Sequence, residues 1–79
     1  YPNPFNPVTR FRYSLGSGSR VGLRVYDMLG REVATLVNEF QQAGEHSVLF
    51  DAQALASGVY FIKLQAGGFS EMRKMSLIR

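Results

Sequence analysis

Cysteine is absent from the 79 residues. Neither a disulfide nor a thiolate metal site can therefore reinforce the fold, and thiol nucleophiles are excluded as well. Histidine occurs once, at His46, which leaves no second imidazole to share a metal and no cysteine for it to activate. No apolar run approaches the roughly 20 residues that span a bilayer. Dense positive charge is missing too: the nine basic residues stand dispersed at Arg10, Arg12, Arg20, Arg24, Arg31, Lys63, Arg73, Lys74 and Arg79, with no run of four. Tracking a nucleic-acid backbone needs a basic stripe or an aromatic-basic motif. A net charge of +3 spread in this way describes a solvated surface with some preference for anionic partners. An initiator methionine and a basic, apolar leader are also lacking, so Tyr1 reads as an excision point inside a longer polypeptide.

What remains is a folding sequence of one domain's length. A hydrophobic content of 46% with 13% aromatics places it outside the disordered class. A chain this short buries only somewhat over about 60% of its unfolded surface, so the core has little margin. The opening Tyr1-Pro2-Asn3-Pro4-Phe5-Asn6-Pro7 cannot donate backbone hydrogen bonds at its three prolines and biases each preceding residue toward extended geometry. Residues 1–7 read as an ordered lead-in from an upstream domain.

Beyond the prolines the pattern is that of strands. Thr9, Phe11, Tyr13 and Leu15 alternate with Arg10, Arg12 and Ser14, and Val21, Leu23 and Val25 alternate with Arg20 and Arg24. With Gly16-Ser17-Gly18-Ser19 between them, the two segments read as a hairpin. Asp27-Met28-Leu29-Gly30 fits a type I turn closed by a glycine at positive φ, with Asp27 capping its own turn amides. In residues 31–38, Val33, Leu36 and Val37 break the period of two, which leaves a helical turn or a bulged strand, and the bulged strand is preferred. Residues 39–44 read as a polar connection. His46, Val48 and Phe50 share a strand face, and residues 52–57 form a loop that could hold one helical turn. Val59-Tyr60-Phe61-Ile62-Lys63-Leu64 is apolar on both faces and so belongs at the centre of a sheet. Gly67-Gly68 signals a two-residue hairpin of the primed type, with positive φ expected at both glycines and the last strand following it. The class is all-β: an antiparallel β-sandwich of about six to seven strands.

Catalytic constellations do not assemble on this pattern. His46 lies on a strand face with Val48 and Phe50, where a structural role is the simpler reading. Ser57-Gly58 lacks the strand-to-helix elbow of a hydrolase serine. The carboxylates fall in turns or on outward faces rather than paired across a cleft. Gly16-Ser17-Gly18 lacks the lysine and helix of a phosphate loop. No loop carries the closely spaced carboxylates of a dedicated calcium site. Neither enzyme activity nor a cofactor or metal is expected.

Taken together, Pro2-Asn3-Pro4-Phe5-Asn6-Pro7-Val8-Thr9, Val25-Tyr26-Asp27-Met28-Leu29-Gly30-Arg31, Ser57-Gly58-Val59-Tyr60-Phe61 and Lys74-Met75-Ser76-Leu77 occur in an order that resembles the C-terminal sorting domains of the type IX (Por) secretion system. That resemblance implies an immunoglobulin-like sandwich occupying residues 1–79 as a single sorting domain. It implies an export address on secreted proteins of Gram-negative bacteria. Such proteins cross the inner membrane by a separate signal, and the domain is then read by outer-membrane machinery on the way to the cell surface or medium. In many members a sortase removes the domain and joins the cargo to the surface. By matching position, Lys74, Met75, Leu77 and Arg79 are the candidates for recognition by translocon or sortase. Pro4, Phe5, Asn6, Pro7, Asp27, Gly30, Gly58 and Tyr60 match structural motif positions. The recognised element would be an exposed final strand, so deleting residues 76–79 is expected to abolish export and leave a folded domain. The competing reading is an immunoglobulin-like accessory module on a secreted enzyme, binding glycan through an aromatic patch or acting as an assembly scaffold.

Overall fold

Side-chain alternation of period two carries each apolar segment into a strand with one face to bury. The computed structural model describes residues 8–78, in which there are six strands: β1 (Val8–Leu15), β2 (Ser19–Tyr26), β3 (Glu32–Gln41), β4 (Gly44–Asp51), β5 (Gly58–Ala66) and β6 (Phe69–Leu77). Pro4, Phe5, Asn6, Pro7 and Arg79 lie outside the described residues. Two antiparallel sheets form, one of two strands in the order β1-β4 and one of four in the order β3-β2-β5-β6. The architecture is the expected all-β sandwich, consistent with an immunoglobulin-like fold.

One pairing differs from the sequence expectation. β1 and β2 are not a hairpin: β1 pairs along its whole length with β4, from Val8↔Asp51 to Leu15↔Gly44, while β2 lies between β3 and β5 in the other sheet. Both segments have an apolar inner face, and the connection at residues 16–18 turns a corner between sheets instead of reversing within one.

The third segment is the bulged strand that its broken period indicates. Leu23 pairs with Val37 and Arg24 with Thr35, which leaves Leu36 extra; Val25 pairs with Ala34 and Tyr26 with Glu32, which leaves Val33 extra. β3 also runs on through Gln41, because Arg20 pairs with Phe40 and Ser19 with Gln41. The expected polar connection therefore shrinks to residues 42–43. The loop after β4 holds a hydrogen-bonded turn, with Leu55 N donating to the Ala52 carbonyl (3.0 Å), and no helix.

The core sits where the two sheets face. β2 contributes Val21, Leu23 and Val25, β5 contributes Tyr60 and Ile62, and Val37 and Leu77 enter from β3 and β6 against Leu15 and Phe50. Val21 and Val25 are fully enclosed (0% exposed). Each such aliphatic side chain stabilises the fold by roughly 1.5–3 kcal/mol through removal from water. On the narrow sheet Phe11 and Phe50 stack with centroids 6.3 Å apart. Because two strands face four, the inner side of β6 is only partly covered.

Candidate functional site

β6 owes its position to β5. Gly67 and Gly68 join them in a two-residue hairpin with Ala66 opposite Phe69. Only Gly67 takes a positive φ (59°), so the turn carries the pattern of type II′, in which the first central residue alone needs it. The expectation of positive φ at both glycines is corrected to that extent.

A two-residue turn also decides which backbone groups are free. The closing pair exchanges hydrogen bonds, and bonded and non-bonded pairs then alternate along the ladder. Glu71, Arg73, Met75 and Leu77, opposite Leu64, Ile62, Tyr60 and Gly58, direct their N–H and C=O groups at β5. Ser70, Met72, Lys74 and Ser76 direct theirs away from it, along an edge that no other described strand covers. Their side chains share the outer face of the sheet with Val59, Phe61, Lys63 and Gln65.

The recognition candidates therefore divide. Lys74 is exposed, makes no ion pair among the described residues, and carries one of the free backbone positions. Met75 points inward and packs against the core, and Leu77 is part of the core at 9% exposure. On the intact sandwich Lys74 is accessible at the surface, whereas Met75 and Leu77 face the core. Sequence reasoning missed Ser70, Met72 and Ser76. Gly67-Gly68 was a usable signal for them, since the turn alone sets the parity once β6 is known to be an edge.

The opposite edge of the same sheet is built differently. β3 is interrupted twice by its bulges, which bend a strand and break the regular spacing that an incoming strand must match. β6 runs nine residues without a register shift. Beside it, between β1 and β6, lies a cleft of about 300 Å³ whose lining includes Phe11, Leu23, Ile62, Leu64 and Phe69. Its rim holds Arg12 from β1 and the ion pair of Arg73 Nε with Glu71 Oε2 (2.8 Å) from β6.

The motif positions that are described take structural roles. Asp27 O accepts from Gly30 N (3.0 Å), and the Asp27 carboxylate accepts from Leu29 N (2.9 Å), Arg31 N (3.0 Å) and Arg31 Nε (2.8 Å). These bonds, the Arg31 amide first, hold the Asp27 carboxyl below the ordinary carboxylate range, against the opposing effect of burial. Gly30 sits at φ 83°, and Gly58 opens β5 opposite Leu77. The Tyr60 ring is in the core and its hydroxyl donates to the Ala56 carbonyl (2.7 Å), which ties the 52–57 loop to β5.

His46 is likewise held in place. Its ring stacks on Tyr13 at 5.5 Å and its Nε2 bonds the Gln42 carbonyl at 2.8 Å. Tyr13 donates to Gln41, and burial, outweighing that bond, raises its hydroxyl above the ordinary tyrosine value. Among the described residues no three His, Cys, Asp or Glu side chains group to hold a metal ion, and no helix is long and apolar enough to cross a membrane.

Compared with known families, residues 1–78 match the model of a family described as the secretion system C-terminal sorting domain. Neither curated proteins nor solved structures give a match.

Proposed function

Because the chain belongs to the secretion system C-terminal sorting domain family, we propose that it is read through the free edge of β6, with Lys74 as the side chain presented there. Membership itself makes the chain a sorting signal of type IX secretion, which sends an attached cargo across the outer membrane to the cell surface or the extracellular space. The family's members act as addresses and are in general non-catalytic. Extending this to the present chain, residues 1–79 work as one non-catalytic sorting domain, with 1–7 as the lead-in from the cargo.

The observation that carries the edge reading is the contrast between the outer strands of the four-stranded sheet. β6 offers regular backbone groups at Ser70, Met72, Lys74 and Ser76 that no other described strand pairs, while β3 is broken by two bulges. An extended partner adds to a regular edge through main-chain hydrogen bonds and gains selectivity from the flanking side chains. In this reading Met75 and Leu77 anchor the strand from inside, and Arg79 is a further basic residue of the recognised sequence. Asp27, Gly30, Gly58 and Tyr60 maintain the frame, and Pro4, Phe5, Asn6 and Pro7 belong to the join with the cargo.

The test fuses residues 1–79 to a periplasm-targeted reporter in a type IX competent host and in its translocon-null mutant. Delivery is expected only in the competent host, falling several-fold on Lys74→Glu and on Met72→Pro. The second variant removes an outward amide donor and leaves the β5 ladder intact. Full delivery of both folded variants would show that the edge is not what is read. The mass of the delivered reporter reports cleavage by a sortase.

A further inference from the structure

The cleft between β1 and β6 has no part in the edge reading as stated, yet it lies directly beside the free backbone. Its floor is Leu23, Ile62 and Leu64, and Phe11 and Phe69 close it from either sheet. A strand laid along Ser70, Met72, Lys74 and Ser76 would send alternate side chains to opposite faces. One set would enter this cleft, where apolar groups leave water, and the other would emerge on the outer face of the sheet.

On the β5-β6 part of that outer face the charge is of one sign, while Glu32 on β3 is paired with Arg24 on β2. The β5 and β6 positions are Val59, Phe61, Lys63, Gln65, Ser70, Met72, Lys74 and Ser76, which include two lysines and no carboxylate. Neither lysine makes an ion pair among the described residues. A residue directly across from Lys74 on an added strand would lie about 5 Å away, close enough for an opposite charge to stabilise and a like charge to repel. On the inner side, Arg73 and Glu71 neutralise each other at the rim and Arg12 adds one cation there, while the interior offered by Phe11, Leu23, Ile62, Leu64 and Phe69 is apolar.

We infer that the β6 edge and the adjoining cleft form one strand-acceptor site for an extended, amphipathic segment of a partner protein, apolar at alternate positions and acidic at those between. The inference rests on the reading that β6 is the recognised edge and adds the chemistry of what it takes. Unpaired main-chain groups specify a strand, the cleft specifies apolar side chains on its inner face, and Lys74 with Lys63 specifies acid on its outer face. Two copies of β6 laid against each other would set lysine-bearing faces together, so a second copy of this chain is the poorer occupant.

The probe is a capped nonapeptide alternating valine with glutamate, titrated to millimolar concentration into the isotope-labelled chain and followed by NMR. Shifts are expected at the amides of Ser70, Met72, Lys74 and Ser76 and at the rings of Phe11 and Phe69. The valine-lysine counterpart should bind at least tenfold more weakly, and added salt should narrow that gap. Met72→Pro should weaken binding tenfold or more by removing an edge donor. Phe69→Ser, which leaves the edge intact and alters a half-exposed residue, should weaken it several-fold. Shifts confined to β3 or to Tyr26 and Phe61, equal binding of both peptides, or no effect of Phe69→Ser in a folded chain would overturn the inference. Loss of reporter delivery on Met72→Pro without any peptide binding would do the same while leaving the edge reading in place.

Discussion

Replacing Leu77 with alanine separates two ways in which the end of β6 can matter. Leu77 is 9% exposed and packs in the core while its backbone pairs with Gly58. Truncating a buried leucine costs about 2–5 kcal/mol, and a site at the end of an edge strand relaxes enough to favour the lower half of that range. A chain of this length has roughly 4–12 kcal/mol of stability in all. The melting temperature should fall by about 8–28 °C, taking 4–8 °C per kcal/mol for a domain of this size. Lys74→Ala, at an exposed side chain that forms no ion pair among the described residues, should stay within about 0.5 kcal/mol of the parent. Thermal melts followed by circular dichroism, run beside the delivery assay at two temperatures, read both effects. Leu77→Ala should deliver at the lower temperature and fail near its melting point; Lys74→Ala should be impaired equally at both. A Leu77→Ala melt within 2 °C of the parent would refute the packing argument. The same placement bears on deletion of residues 76–79. That deletion removes a core side chain along with the last two pairs of the β5-β6 ladder, so it should lose structure as well as export, contrary to the expectation from sequence.

Other outcomes follow from particular residues. Gly30→Ala should cost about 1–2 kcal/mol in chemical denaturation, purely from the left-handed backbone, since the added Cβ at φ 83° meets open space; no loss would show that the turn does not depend on that conformation. Asp27→Asn should lower the melting temperature at neutral pH. Because the folded carboxyl titrates below its unfolded value near 4, its contribution is complete above that value and is lost as pH falls through the lower folded one. The parent and Asp27→Asn melts should therefore converge in strong acid, and a constant gap down to pH 2 would contradict the assignment. Tyr60→Phe should cost about 0.5–1.5 kcal/mol and raise amide exchange across residues 52–57; unchanged exchange there would mean that the bond to Ala56 does not hold the loop.

Much of this fold was legible because period-two alternation is a direct consequence of having one face to bury. Val33, Leu36 and Val37 announced the bulges by breaking that period, and the two-sided apolarity of Val59 to Leu64 announced a strand with neighbours on both sides. Pairing partners were less legible. The segments before and after Gly16-Ser17-Gly18 alternate in the same way whether they join as a hairpin or part into different sheets, since alternation records which face is inward and not which strand lies alongside. The site was legible in part for the same reason. Lys74 could be picked out from the resemblance, but that Met75 and Leu77 face inward, and that Ser70, Met72 and Ser76 carry the free groups, depends on strand order. Strand order is a property of the whole assembly.

The partition of β1 from β2 also orders the molecule in time. β2-β3 and β5-β6 join neighbours in sequence and can close as local hairpins within microseconds. β1 must wait for β4, with Val8 and Asp51 meeting across 43 positions of chain, and the loop entropy of that encounter is lost before any contact repays it. Joining β2 to β5, from Val21↔Ala66 to Tyr26↔Phe61, closes a loop of comparable length, so both long-range unions follow the two hairpins and the core is complete only when both are made.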